Sequence, residues 1–385
     1  MKKILFIIPS LNTGGTNSSL SSIYLYLKDM CYIDIFSLSE NRNTKFVFDE
    51  NIISSYRFLT IFERSLENSN GVKKILPFII KSVIKVSSLF SLDLRGYIYK
   101  KYANKISKAN NYDYIIGFQE GTATKFASVF DCANKIAWVH CDYNHYLDKS
   151  LSELDIYKTF KQIICVSRFT SNVFKQRYPE LAAKTTSIYN FLDEKKIKSK
   201  ALAEIGDKRF DNSKFTFISA GRLVPIKGYD LIPCIASTLK QNKFRFAWYI
   251  IGPQASKEYA NKIVRLIKEN NVEDCVFWLG NKTNPYPYIK ASNAFVCTSI
   301  SEACPMVFCE AFTLGVPVIT TNFGSSVEFI QNNVNGIITS SKNMAGIIMS
   351  ILSDKENWSK MAANLINYVS FNKQIEMDLM KLIEL

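Results

Sequence analysis

Histidine is nearly missing from this chain: His140 and His145 are the only two in 385 residues. That scarcity leaves little material for a zinc site, and no metal is expected. Cysteines at metal or redox spacing are missing as well. The nine cysteines (31, 132, 141, 165, 234, 275, 297, 304 and 309) are odd in number and include no CxxC pair. Most fall in apolar runs, so free thiols in a reducing compartment are expected. No uncharged run reaches membrane-spanning length, and the apolar run Ile4–Ile8 is too short for a signal peptide. A cytoplasmic protein is the expectation. No G-x-G-x-x-G follows the first strand-like run, which sets a nicotinamide-dependent dehydrogenase aside. Acids are outnumbered, 34 Asp+Glu against 48 Lys+Arg, and the formal charge of +14 suits polyanions, anionic lipid surfaces or phosphorylated small molecules.

What the chain does have is apolar material: 47% hydrophobic and 13% aromatic residues, enough for sizeable cores. Its length implies two α/β domains. Continuous apolar runs at Ile4–Ile8, Tyr32–Phe36, Tyr114–Gly117, Lys135–Val139 and Ile163–Val166 read as buried parallel strands separated by helix-length segments. A second and more regular series follows at Phe215–Ser219, Trp248–Ile251, Val276–Leu279, Ala294–Thr298, Val316–Thr320 and Gly336–Thr339. Alternation of this kind predicts two doubly wound, Rossmann-like α/β domains. The polar run Glu194–Ala201 reads as the linker. The expected division is 1–195, 196–365, and a C-terminal helix in 366–385 crossing back to the first domain.

Residues 71–108 differ in composition, with nine basic residues, among them Lys73, Lys74, Lys81 and Lys85, against one acid, Asp93. Apolar residues are interleaved with them. A solvated helical face is one reading, and a surface for anionic lipid headgroups is the other.

Candidate chemistry gathers where strands end and helices begin, the edge at which open α/β sheets bind ligands. Gly14-Gly15 follows the first strand and opens a helix, an arrangement that lets a phosphate approach the backbone. Ser219-Ala-Gly221-Arg222-Leu-Val-Pro-Ile-Lys227-Gly228 follows the first strand of the second series. It offers one forked guanidinium and one ammonium, a combination suited to a diphosphate. Gly252 ends the next strand. In Ser301–Thr320, Glu302 stands in a loop and Glu310 eight positions on, in a helix-like segment that opens near Pro305, Met306 and Val307. Acids beside an anion site are explained if they accept hydrogen bonds from sugar or ribose hydroxyls.

These residues resemble the family-4 retaining glycosyltransferases of the GT-B fold, of the bacterial surface-polysaccharide type. The likeness rests on Gly221-Arg222-Leu223 with Lys227-Gly228, on Glu302-Ala-Cys-Pro305 with Glu310-Ala and Gly315-Val-Pro-Val-Ile, and on the strand ends at Gly252 and Leu279-Gly280. In the first half it rests on Gly14-Gly15, Trp138-Val-His140, Val166-Ser-Arg168 and Tyr189-Asn190. It implies two Rossmann-like domains facing across a cleft and metal-independent transfer of a hexose or N-acetylhexosamine. The implied donor is a nucleotide sugar, expected to be UDP-linked, serving as co-substrate with no further cofactor. A saccharide or lipid-linked saccharide is the implied acceptor, and no nucleic acid is involved. Carried over position by position, Arg222 and Lys227 would hold the donor diphosphate, Glu310 the ribose and Glu302 the transferred sugar. Gly221, Gly252, Leu279, Pro305, Met306 and Val307 would line the donor site. Gly15 would approach the diphosphate, and His140 would lie near sugar and acceptor. Ala303 and Cys304 depart from the family pattern, which usually has Gly and often an aromatic there. A non-catalytic accessory subunit of a partner transferase and a nucleotide-sugar epimerase are the competing readings.

Overall fold

The computed structural model describes residues 1–11, 14–39, 46–53, 56, 58–60, 78–80, 82–84, 93–145 and 153–384. The chain divides into two compact units, Met1–Phe191 with Gln374–Leu385, and Leu192–Lys373.

Strands β1 (Lys2–Ile8), β2 (Cys31–Ser37), β3 (Ile52–Ile53), β4 (Tyr114–Gly117), β5 (Lys135–Val139), β6 (Gln162–Cys165) and β7 (Thr185–Ser187) belong to the first unit. They form one parallel sheet in the order β3-β2-β1-β4-β5-β6-β7. The central strands are apolar and buried along nearly their whole length, because helices cover both faces. Those helices include α1 (Gly15–Leu27), α2 (Leu94–Ala109), α3 (Thr122–Ser128), α4 (Glu153–Lys158) and α5 (Arg168–Arg177). Strands β3 and β7 escape a reading by periodicity. One is two residues long, and the other, Thr-Thr-Ser, carries no apolar side chain.

In the second unit, β8 (Phe215–Ala220), β9 (Phe246–Ile251), β10 (Val276–Gly280), β11 (Ala294–Cys297), β12 (Val318–Thr321) and β13 (Gly336–Thr339) form a parallel sheet in the order β10-β9-β8-β11-β12-β13. Trp248 and Phe217 lie fully buried in its core. The Trp248 indole N–H donates to Ser219 Oγ at 3.1 Å, and Ser219 donates to the Val296 carbonyl at 2.6 Å. Three neighbouring strands thus satisfy each other's buried polar groups.

The stretch expected to be a linker is a helix, α6 (Glu194–Lys200). Asp193 caps it by accepting the Lys196 N–H at 3.0 Å, and Ile197 is buried. One apolar residue and a cap suffice when the remaining charged side chains face water. The unit boundary accordingly falls at Phe191/Leu192. Helices α7 (Leu231–Gln241), α8 (Lys257–Glu269), α9 (Tyr286–Lys290), α10 (Met306–Thr313), α11 (Met344–Ser353) and α12 (Lys355–Asn364) complete this unit.

A last helix, α13 (Asn372–Leu382), begins in the second unit and continues into the first. Ile375, Leu379, Leu382 and Ile383 are buried, and Lys161 Nζ meets Glu384 at 3.1 Å. The two places where the chain passes from one unit to the other are tied at Asn372, which donates to the Leu192 carbonyl at 2.7 Å and accepts its N–H at 3.0 Å. Among the described residues no helix is long and apolar enough to cross a membrane. Five of the nine cysteines are buried.

Candidate active site

The order of the second sheet reverses between β8 and β11, and the loops that leave these two strands pack on each other. Thr298 Oγ1 donates to the Lys227 carbonyl at 2.9 Å, and the Ile300 N–H donates to the Ile226 carbonyl at 2.8 Å. Gly228 makes this contact possible. It has φ of 62°, and a Cβ there would sit 2.1 Å from the Thr298 carbonyl oxygen. A reversal of strand order at the carboxyl ends is where a crevice for a ligand forms.

Lys227 and Glu302 meet at this crevice, 75 residues apart in sequence, as an ion pair through Glu302 Oε1. Their side chains are 21% and 16% exposed. Ser299 donates to the same Oε1 at 2.7 Å, and Ser325 Oγ donates to the Glu302 carbonyl at 2.6 Å. Arg222, on the loop that leaves β8, is exposed, and no hydrogen bond or ion pair engages its guanidinium among the described residues.

Helix α10 starts at Met306 with Pro305 as its N-cap, and no side chain caps it. Within its first turn the Met306 N–H donates to the Cys304 carbonyl and the Phe308 N–H to the Pro305 carbonyl, each at 2.9 Å. One turn further, Glu310 is held in apolar surroundings between buried Phe308, Cys309, Ala311 and Phe312. Burial pushes its carboxyl up to about 7, opposed by the hydrogen bond that Tyr286 Oη donates at 3.3 Å.

The strand ends on the other side of β8 are tied closely. The Gly221 N–H donates to the Ile251 carbonyl at 2.9 Å, the Gly252 N–H to the Gly280 carbonyl at 2.9 Å, and the Leu223 N–H to the Pro253 carbonyl at 3.0 Å. Leu279 is buried, and its carbonyl accepts from Arg209 at 3.3 Å. Asp207 orients that guanidinium at 2.7 Å. Arg209, Asp207, Ser299 and Tyr286 are contributions that sequence reasoning missed. All four are ordinary polar residues in loops or a short helix, and only the fold brings Ser299 to Glu302, Tyr286 to Glu310, and Arg209 with Asp207 to the end of β10.

Ten of the twelve candidate residues thus belong to one unit: Gly221, Arg222, Lys227, Gly252, Leu279, Glu302, Pro305, Met306, Val307 and Glu310. Gly15 and His140 belong to the other. Gly15 is the first residue of α1, which no side chain caps. His140 directly follows β5, its ring edge-on to Phe118 with centroids 4.8 Å apart. Its backbone N–H donates to Glu120 Oε2 at 2.7 Å, and its Nε2 is buried without a hydrogen-bond partner among the described residues. Burial holds its imidazole down at about 3, so it is neutral across physiological pH.

The family model described as glycosyl transferases group 1 matches residues 203–370. Over that stretch the chain is similar to the group 1 glycosyltransferases. The matched stretch covers all ten candidate residues of the second unit. An uncharacterized glycosyltransferase of Methanocaldococcus jannaschii is 28% identical over 169 residues, 43% of this chain and 41% of that one. A Campylobacter jejuni relative is 24% identical over 331 residues, 85% of this chain and 83% of that one. It is named N-acetylgalactosamine-N,N'-diacetylbacillosaminyl-diphospho-undecaprenol 4-alpha-N-acetylgalactosaminyltransferase. The chain spans 41%, 58% and 57% of three curated relatives, the M. jannaschii protein among them, about half their length. Among solved structures, HepE of Anabaena in complex with UDP superimposes with a TM-score of 0.70 at 18% identity, covering 99% of this chain and 100% of that one. The fold is GT-B, built from two Rossmann-like α/β units.

Proposed function

We propose that the chain transfers a hexose or N-acetylhexosamine from a nucleotide sugar, UDP-linked, to a saccharide acceptor carried on a lipid. The observation that carries this reading is the arrangement around Lys227. Within the stretch that matches the group 1 model, Lys227 pairs with Glu302, Arg222 precedes Lys227 on the same loop, and the uncapped α10 start and Glu310 follow Glu302 in the chain. The HepE neighbour bears UDP, and the C. jejuni relative is named for transfer onto a diphospho-undecaprenol-linked saccharide.

Departure of the diphosphate builds negative charge on its bridging oxygen, while the sugar takes on oxocarbenium character. Arg222, Lys227 and the α10 N–H groups are preorganised to stabilise that charge, which asks for no metal ion. Glu302 Oε1 is occupied by Lys227 and Ser299, which suits a group that receives sugar hydroxyls better than a nucleophile. Retention then follows if the departing phosphate oxygen takes the acceptor's proton on the same face. A neutral His140 can donate or accept one hydrogen bond to substrate without adding charge.

The test is a mass-spectrometric screen for hydrolysis and transfer across a nucleotide-sugar panel, repeated with Arg222→Ala and Lys227→Ala. Each substitution should lower transfer at least about a hundred-fold, the scale for losing one preorganised charge stabiliser. Near-normal turnover in both would remove the diphosphate assignment.

The basic segment 71–108 supports a second part of the proposal, attachment to an anionic membrane surface. Lys73, Lys74, Lys81 and Lys85 lie outside the described residues. Within them, α2 exposes Lys100, Lys101, Lys105 and Lys108, and Tyr97, Phe78 and Ile79 are exposed apolar neighbours. Such a mixture suits a headgroup layer. Neutralising Lys73, Lys74, Lys81 and Lys85 together should release the chain from anionic liposomes, and unaltered sedimentation would leave only a solvated face.

A further inference from the structure

Two anions have a claim on one cation at this site. Lys227 Nζ is engaged by Glu302, yet it is also the ammonium that the proposed function gives to the donor diphosphate. Glu302 cannot swing away cheaply. Its Oε1 accepts from Ser299, its carbonyl accepts from Ser325, and the Ser299 carbonyl accepts from Thr321 Oγ1 at 2.5 Å. Ser299 and Ser325 are buried, so these hydroxyls belong to the rigid end of the sheet. Glu302 Oε2 has no hydrogen-bond partner among the described residues.

We propose that Glu302 and the diphosphate compete for Lys227, so that the site discriminates against sugar-free nucleotide, with Ser299 as the positioning residue that holds Glu302 in the competition. The proposal rests on the diphosphate reading. A nucleoside diphosphate arriving alone must share Lys227 with a fixed carboxylate and bear its repulsion at short range in a partly desolvated place. A nucleotide sugar meets the same carboxylate but places sugar hydroxyls beside it, and the free Oε2 accepts a hydrogen bond. The carboxylate therefore opposes the product and favours the donor. Binding energy used this way speeds release of the spent nucleotide without weakening the donor complex.

Calorimetry on the full chain with UDP and with UMP, which lacks the terminal phosphate, separates the possibilities. In Glu302→Gln, UDP should bind about ten-fold tighter while UMP is unchanged and transfer falls. Ser299→Ala should tighten UDP by a smaller factor, about three-fold, again without moving UMP. An unchanged or weaker UDP affinity in Glu302→Gln overturns the competition. An equal gain for UMP overturns it too, since a change in the general shape of the site would account for both. If Glu302→Gln tightens UDP and Ser299→Ala does not, the positioning role of Ser299 is wrong. Lys227→Met reports on the underlying reading: it should bind UDP at least about ten-fold more weakly than the parent chain, with UMP less affected. If it retains wild-type UDP affinity, the diphosphate assignment fails, and the inference fails with it.

Discussion

Glu310 lies in apolar company with one phenol for support, and that environment makes a pH prediction. Burial raises its carboxyl to about 7, and the Tyr286 hydroxyl works in the opposite direction by favouring the charged form. Tyr286 on α9 is its hydrogen-bond partner, and burial, helped by the Glu310 charge, raises the Cys309 thiol next to it in sequence. The sign follows directly. A folded carboxyl above its ordinary 4.5 stabilises the fold below that value and loses this contribution as pH rises through about 7. Ligand binding runs the other way. A carboxylate accepts ribose hydroxyls more strongly than a carboxylic acid does. UDP affinity should therefore fall by about ten-fold as pH drops from 8 to 6, the difference between charged and neutral hydrogen bonds. Glu310→Gln should flatten that profile. Tyr286→Phe should move its midpoint upward, because the carboxylate loses its one donor. A wild-type profile that is flat by calorimetry would refute the ribose role.

At the scale of elements, the site depends on how closely three strand ends can approach. Gly252 has φ of 153°, and a Cβ built on it would lie 1.7 Å from the Gly221 carbonyl oxygen. Backbone cannot yield there without breaking the bonds that tie Gly221 to Ile251 and Gly252 to Gly280. Gly252→Ala should cost on the order of 4 kcal/mol or more. Gly206, with open space where its Cβ would be, is the matched control and should shift stability by less than about 0.5 kcal/mol on substitution by Ala. Urea denaturation decides between them, and equal midpoints would show that the close approach is not tight. Helix α10 illustrates what could be read in advance. The Pro305 start and the Gly315 stop were visible as punctuation, and Gly315 does adopt φ of 76° after the helix. Helix α6 illustrates the opposite. Its charged sequence matches a linker because its single buried side chain, Ile197, leaves no periodic signal.

For the whole molecule, the C-terminal residues matter more than their position suggests. Gln374–Leu385 belongs to the first unit although the preceding residues belong to the second. Burying Ile375, Leu379, Leu382 and Ile383 contributes roughly 6 kcal/mol or more at the usual rate per side chain. That is comparable with the total stability of a domain. Deleting 374–385 should leave the first unit unfolded or aggregated, as read by circular dichroism and light scattering. A truncated chain that melts like the parent would contradict this.

Strand positions in both sheets were legible because a parallel strand covered on both faces must be a continuous apolar run, as in Ile4–Ile8 and Trp248–Ile251. The Gly221-Arg222 and Lys227-Gly228 pairs were legible because tight turns at strand ends demand glycine. Edge strands β3 and β7 were not, being too short to show a period. The fold class and the stretch that is similar to the group 1 transferases were thus set by local pattern, which chain neighbours impose on each other. Tertiary structure alone decided that Glu302 holds Lys227, that Ser299 stands behind it, and that Tyr286 supports Glu310. Each of those pairs except Ser299 with Glu302 spans more than twenty residues. Which side chains meet at a sheet edge depends on strand order, and no local pattern encodes that order.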